Sequence, residues 1–448
     1  MRLDSVISQA AGGLDSISRQ LAVVSQNVSN ANTPGYVRET LRTSSVAADG
    51  QGMGVRSGVA TRSLDAALQT DLFVAGGRVA YGQARQDTLT AIDAASGAPG
   101  SGQDLPGLLG SLRDAFSTLQ ADPANVTQQH AVVTKAALLA QGVNGLGAAV
   151  SAARQTAQDG VRDDLVKAND ALRSLGELTD QVIAAEARGL STADLEDKRD
   201  AAIQTVTELT GAQVLRQANG DVLAVSGGTV LSLRSATGPL SLDDAALAPG
   251  STAPSLLVAG QVAPLGGGRI GAELELRDTT LPGIQAKLDG FAQALAGGFA
   301  ASGLDLFTDA SGTVPATPGF AQSIQVNPAV QAAPAMVRDG SAAAGAAGST
   351  TLIDAVLGGV LAGGTGTVTS QASQVVADNA GLAAAASRQV TTEQAVQSSL
   401  STKLSAQTGV SIDSELAQMV KLQNSYGANA RVISTVQSLW TELLNAVR

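Results

Sequence analysis

Apolar residues recur through the first thirty positions at alternating spacings of four and three: Leu3, Ile7, Ala10, Leu14, Ile17, Leu21, Val24, Val28 and Ala31. That is the seam of a coiled coil, with Ser, Gln, Arg and Asp on the remaining faces. The predicted helix runs into Asn30-Ala31-Asn32-Thr33-Pro34-Gly35-Tyr36. There Pro34 lacks an N–H and pushes Thr33 out of the α region, while Gly35 admits a positive φ, so the helix stops. At the other end Ile412, Met419, Tyr426, Ile433, Trp440 and Val447 recur every seven residues. Leu416, Leu422, Ala430, Val436, Leu443 and Leu444 widen that stripe. Ser411 is placed to cap the helix, and Asp413 and Glu415 lie where its positive end favours acids. Such stripes suit either ordinary core or the arms of subunits that build tubes. The expected pairing sets Leu14, Ile17, Leu21 and Val24 against Tyr426, Ile433, Val436 and Trp440, with both arms mobile until paired.

Between the arms the pattern changes twice. From Ala131 to Gly211 it is helical, with Leu138, Val143, Leu146, Val150, Val161, Leu165, Leu172, Leu175, Leu178, Val182 and Ile183 as apolar contacts. Short β-type runs follow at Gln213–Leu215, Asp221–Val225 and Val230–Leu233, broken at the hairpin signals Asn219-Gly220 and Gly227-Gly228. Gly266-Gly267-Gly268 closes that region, Ser341–Gly366 is rich in Ala and Gly, and helix resumes near Gln371.

Composition narrows the function. The 448 residues suffice for two or three cores, and with aromatics at 2% those cores must be aliphatic. A net charge of −11 repels phosphate backbones and anionic lipid, which argues against nucleic-acid and membrane partners. Without cysteine there is no thiol, iron–sulfur or disulfide chemistry. No stretch approaches the ~18–20 uninterrupted apolar residues of a membrane span. Met1-Arg2-Leu3-Asp4-Ser5 carries an acid at once and begins no apolar signal block, so taken alone the chain is expected in the cytoplasm.

Candidate chemistry is sparse. The single histidine, His130, has no cysteine or second histidine beside which to act as base or ligand. Asp163-Asp164 and Glu196-Asp197 are neighbours that point different ways on a helix, so they read as solvated surface. Gly52-Met53-Gly54 with Gly58 lacks the Lys-Ser/Thr ending of a phosphate loop and reads as a β-turn region. Asn27-Val28-Ser29 fits a glycosylation acceptor but falls on a packed helix. No catalytic, cofactor-binding or metal-binding residue is expected.

Two terminal motifs carry a resemblance. Asn27-Val28-Ser29-Asn30-Ala31-Asn32-Thr33-Pro34-Gly35-Tyr36 is similar to the N-terminal signature of the flagellar rod, hook and hook-associated axial proteins. Gln423-Asn424-Ser425-Tyr426-Gly427-Ala428-Asn429-Ala430-Arg431-Val432-Ile433-Ser434-Thr435 resembles their C-terminal signature. Within that superfamily, Leu195-Glu196-Asp197-Lys198-Arg199-Asp200 and Gly271–Asp278 with Leu281-Pro282-Gly283-Ile284 resemble the hook-associated protein 1 family. The glycine-phenylalanine segment usual after the first motif of hook and distal rod proteins is missing, which disfavours that alternative. A secreted enzyme on axial termini is a further alternative, but it would need a site in 302–366, a stretch without Glu or His.

The resemblance implies an α+β multidomain fold. Its terminal coiled-coil helices (1–45 with 405–448) form an inner domain. A mainly helical middle domain (46–211 with 270–301 and 367–404) and a β-rich outer domain (212–269 with 302–366) follow. It also implies a structural subunit that is made in the cytoplasm, exported by the type III apparatus without a cleaved signal and finally extracellular. The implied partners are further copies in a ring, the hook protein, hook-associated protein 3 and an export chaperone on the C-terminal helix. The assembly residues are then Leu3, Ile7, Leu14, Ile17, Leu21, Val24, Val28, Ile412, Leu416, Met419, Tyr426, Ile433, Val436, Trp440 and Leu443, with Asn30, Asn32, Pro34, Gly35 and Tyr36 as the signature turn.

Overall fold

A computed structural model of the protein describes residues 3–33, 35–48, 51–98, 100–316, 318–341 and 347–446. In chain order the elements begin with α1 (Leu3–Ser29), β1 (Glu39–Ala48), β2 (Gln51–Arg62), α2 (Ala66–Ala95), α3 (Leu105–Ala121), α4 (Val126–Ala187) and α5 (Ala193–Thr210). Short strands follow: β3 (Gln213–Arg216), β4 (Val222–Ser226), β5 (Thr229–Leu231), β6 (Leu240–Ser241), β7 (Leu257–Val258) and β8 (Gln261–Val262). Next come α6 (Gly268–Glu275), a π-helical turn (Leu276–Thr280), α7 (Leu281–Ala301), β9 (Phe307–Thr308), α8 (Phe320–Ser323) and β10 (Gln325–Val326). The chain continues through α9 (Pro328–Ala332), α10 (Met336–Asp339), α11 (Thr351–Gly358), α12 (Val368–Thr408) and α13 (Ile412–Ala446). The fold is α+β, with long helices and small antiparallel sheets.

The described chain divides into two compact units rather than the three domains expected. The first comprises Met1–Gly77, Ala168–Pro239 and Gln394–Arg448; the second comprises Arg78–Lys167 and Leu240–Glu393.

In the first unit α1 is covered on two sides. One side meets α13; the other meets the β1–β2 hairpin, whose register runs from Glu39 opposite Arg62 to Ala48 opposite Gln51. The hairpin side of α1 is built from small residues. Ser16 is buried with its Oγ 2.8 Å from Ser57 Oγ of β2, and Gly12 faces the Val55 carbonyl. The sequence pattern marked only the apolar seam; the second face has no large apolar residue to signal it. Helix α1 ends at Ser29, one short turn before the expected stop, and Asn30–Thr33 form turns. The β3-β4-β5 meander turns at the two places the hairpin signals mark, with Gly220, Gly227 and Gly228 at positive φ.

The second unit holds the largest core. Phe116, Phe291, Phe299, Phe307 and Phe320, five of the chain's six phenylalanines, are buried in it with aliphatic residues of α3, α4, α7 and α12. Phe299 stands 5.9 Å from Phe116 and edge-on at 5.4 Å to Phe307. Residues 302–366, expected in a β-rich outer domain, belong to this core instead. Leu304, Leu306, Ile324, Val326, Val330, Val337, Ile353, Val356 and Leu361 are buried in it, and the strands there are two residues long. Two-residue strands cannot bury a face of their own, so this segment's apolar side chains pack on neighbouring helices. The other half of the expected β domain is divided: β3–β5 lie in the first unit and β6–β8 in the second.

Helix α4 is, by length and composition alone, apolar enough to cross a membrane, although its apolar residues are never uninterrupted. Its Val132, Leu139, Val143, Leu146 and Val150 are core residues of the second unit. In the same unit the block resembling the family forms one helix that widens into the π turn. Arg277 in that turn is buried, donating to Gln158 Oε1 at 2.6 Å and to the Pro254 carbonyl at 3.0 Å. Arg154 of α4 donates to the carbonyls of Arg277, Ala248 and Ser251, fixing the 248–254 loop.

Candidate assembly interface

Helices α1 and α13 run antiparallel: Asn27 meets Glu415, while Gly13 lies against Asn429. Ile17, Val24 and Leu422 form the buried apolar centre, with Leu21 and Met419 packed against it. Of the residues expected at this interface, Val436 is also buried, and Ile7, Leu14, Val28 and Ile433 are half-buried. Ile412, Leu416, Tyr426 and Trp440 are exposed. The expected facing set is therefore shifted: Met419 and Leu422, not Tyr426 and Trp440, meet Ile17, Leu21 and Val24. A repeat of seven identifies the apolar stripe but not which turn of it meets which turn of the partner. The side chains of Leu3 and Leu443, and the residues Pro34 and Val447, lie outside the described residues.

The turn after α1 is held from inside by Asn27. Its amide Nδ2 donates to the Glu39 carbonyl at 3.0 Å and to Glu415 Oε2 at 3.2 Å. Its Oδ1 accepts from the Glu39 amide at 3.0 Å and from the Tyr36 hydroxyl at 2.8 Å. Arg38 Nε donates to Glu415 Oε1 at 2.6 Å, and the Arg38 amide donates to the Thr408 carbonyl at 3.1 Å. Ser411 caps α13, accepting from the Ser414 amide. The Tyr36 hydroxyl is held above its ordinary range by burial, then by the carboxylates of Glu39 and Asp197, and burial also raises Glu39. Asn30 bonds back to Gln26 and accepts from Thr33; Asn32 is exposed, and Gly35 sits at φ 81°. From the sequence Asn27 reads as a glycosylation acceptor on a packed helix and Glu415 as a helix-end acid. Neither has a local signal for burial, because their partners are hundreds of residues away or on the far side of a turn.

The Leu195–Asp200 block closes the other end of the hairpin. Arg62, at the end of β2, is buried among Glu196, Asp197 and Asp200 of α5. Its Nη1 lies 2.9 Å from Asp197 Oδ1 without hydrogen-bond alignment, so attraction there is Coulombic. Asp200 also accepts from Arg216 at 2.6 Å and Gln69 at 2.7 Å. Burial pushes the Asp197 carboxyl up to about 6 against the opposing pull of Arg62. Solvation of Glu196-Asp197 at the surface, expected from their spacing, is thus replaced by an internal ion cluster. Beside it a cleft of about 1020 Å³ is lined by the signature turn, α5, the start of α2 and the end of α12.

Asp164 departs from the surface reading in the same way. In the second unit it is buried against Lys167 at 2.7 Å and Arg269 at 2.9 Å. Glu273 shares Arg269, and burial, then Asp164, pushes its carboxyl up to about 7. His130 is exposed on α4. Among the described residues no three His, Cys, Asp or Glu side chains are grouped to hold a metal.

Three family models match segments of the chain. The model of the flagellar hook-associated protein FlgK helical domain matches residues 89–313. The flagella basal body rod protein model matches residues 7–36, and the flagellar basal body rod FlgEFG protein C-terminal model matches 405–446. A solved structure of the flagellar hook junction protein FlgK from Burkholderia pseudomallei is similar at 24% identity and a TM-score of 0.45, covering 55% of this chain and 45% of that one. The chain thus spans less than half the length of that protein. Among curated proteins none matches. With paired terminal helices under the two rod-type matches and a helical body under a match to half its length, the chain belongs to the flagellar hook-associated protein FlgK family.

Proposed function

We propose that this chain is a non-enzymatic structural subunit of the junction between flagellar hook and filament. It forms a ring on the distal hook, on which the next junction protein and then the filament assemble. The observation that carries this reading is the split character of α13. One line of it packs on α1, while Leu416, Val420, Tyr426, Val432, Leu439, Trp440 and Leu444 are exposed. Apolar side chains at that density on one helix call for a neighbour. In the assembled flagellum those neighbours are other copies, the hook protein below and hook-associated protein 3 above. Before export, the same stripe is the surface a chaperone would shield while the chain awaits the type III apparatus.

The junction is favoured over hook or rod because the rod-type matches stop at the arms while the FlgK match covers the body. Electron microscopy of a deletion strain tests it. Complete hooks without filaments, with flagellin lost to the medium, are expected. Rods without hooks, or normal filaments, would overturn the proposal.

A further inference from the structure

We infer that Asn27 and Glu415 select the register of the terminal helix pair. The apolar stripe of α13 repeats every seven residues, so sliding it by seven against α1 lays one apolar set over another. The buried apolar centre is short, resting on Ile17, Val24 and Leu422, and discriminates poorly between such alignments. The polar pair does discriminate. Asn27 is 1% exposed and Glu415 is 0% exposed. In the observed alignment the Asn27 amide group is engaged by Glu39, Tyr36 and Glu415, and Glu415 also receives Arg38. A slide of seven would bring Leu422 or Thr408 opposite Asn27 and strip Glu415 of both Asn27 and Arg38, while Asn27 would keep Glu39 and Tyr36. An unpartnered buried carboxylate is strongly disfavoured, whereas the apolar contacts change little. A single polar position in a helical seam is an attested device for fixing register. Its consequence for assembly rests on the junction reading: the register decides which side chains of α13 face a neighbouring copy.

The cysteine-free chain allows a direct test, since engineered cysteines would be its only thiols. A Cβ added at Gly13 would lie 3.5 Å from the Asn429 side chain, so Gly13→Cys with Asn429→Cys reports the observed alignment. Gln20→Cys with Asn429→Cys, and Val6→Cys with Asn429→Cys, report slides of seven residues in either direction. Each pair is oxidised in the full-length protein and the linked peptides are counted by mass spectrometry. In the otherwise native chain, and with Glu415→Gln, which keeps an acceptor for Asn27 and Arg38, only the Gly13 pair should link. In Asn27→Leu with Glu415→Leu, linkage of a slid pair should rise about tenfold or more over its native level. Three results would overturn the inference. One is the leucine variant linking only the Gly13 pair. Another is that variant linking no pair, which would make the cluster a matter of stability alone. The third is Glu415→Gln sliding as far as leucine does.

Discussion

Replacing Arg62 by Met should release the hairpin from α5, and more so at neutral than at acid pH. The guanidinium is 2% exposed and sits among Glu196, Asp197 and Asp200. Asp200 would keep Arg216 at 2.6 Å and Gln69 at 2.7 Å, so the loss concentrates on Asp197 and Glu196. Asp197 already stands at about 6 against an ordinary 3.8, which at neutral pH corresponds to an ionisation penalty of roughly 3 kcal/mol even with Arg62 present. Breaking a buried pair by removing one partner adds about 3–5 kcal/mol. The sign follows from linkage. The folded carboxyl holds a proton that the unfolded chain releases, so stability falls as pH rises from about 4 to about 6. In the variant the folded carboxyl titrates higher still, and the fall continues above pH 6. Hydrogen exchange over residues 51–62 and 193–210 reads this locally, without assuming that both units unfold together. Protection at pH 7.5 should drop roughly 10²- to 10³-fold, and by much less at pH 5. An unchanged protection factor, or an equal loss at both pH values, would refute the reasoning.

Other perturbations probe separate parts of the molecule. Glu273→Gln should stabilise the second unit at pH 8 by on the order of 2–3 kcal/mol and do little at pH 4, since Glu273 titrates at about 7 when folded and near 4.5 when unfolded; urea melts at the two pH values check it. Gly176→Ala would set a methyl 2.5 Å from the Leu233 carbonyl, so a loss of about 1–3 kcal/mol is expected in the thermal unfolding of the first unit. Arg154→Lys keeps the charge but cannot reach three carbonyls with a planar fork, so limited proteolysis should cut faster within 248–254. Trp440, the only tryptophan, is 42% exposed, so its emission should shift to the blue as the protein assembles; emission unchanged on assembly would count against α13 as the contact face.

Features that depend on near neighbours are legible along the chain. The alternation of four and three fixed a long N-terminal helix, and the heptad stripe fixed another at the C-terminus. Asn219-Gly220 and Gly227-Gly228 located two turns because only certain residues tolerate their backbone angles. The terminal motifs and two internal blocks carried the family. Whatever depends on which distant residues meet emerges only in the folded chain. A period of seven is unchanged by a slide of seven, so the contact of Met419 and Leu422 with α1 came from the fold, as did the burial of Asn27 and Glu415. Glu196-Asp197 and Asp164 look like solvated acids until Arg62 and Arg269 arrive from 100 or more residues away in the chain. Residues 302–366 carry too little local pattern to declare themselves core, because their helices and strands are a few residues long and take their order from the helices they cover.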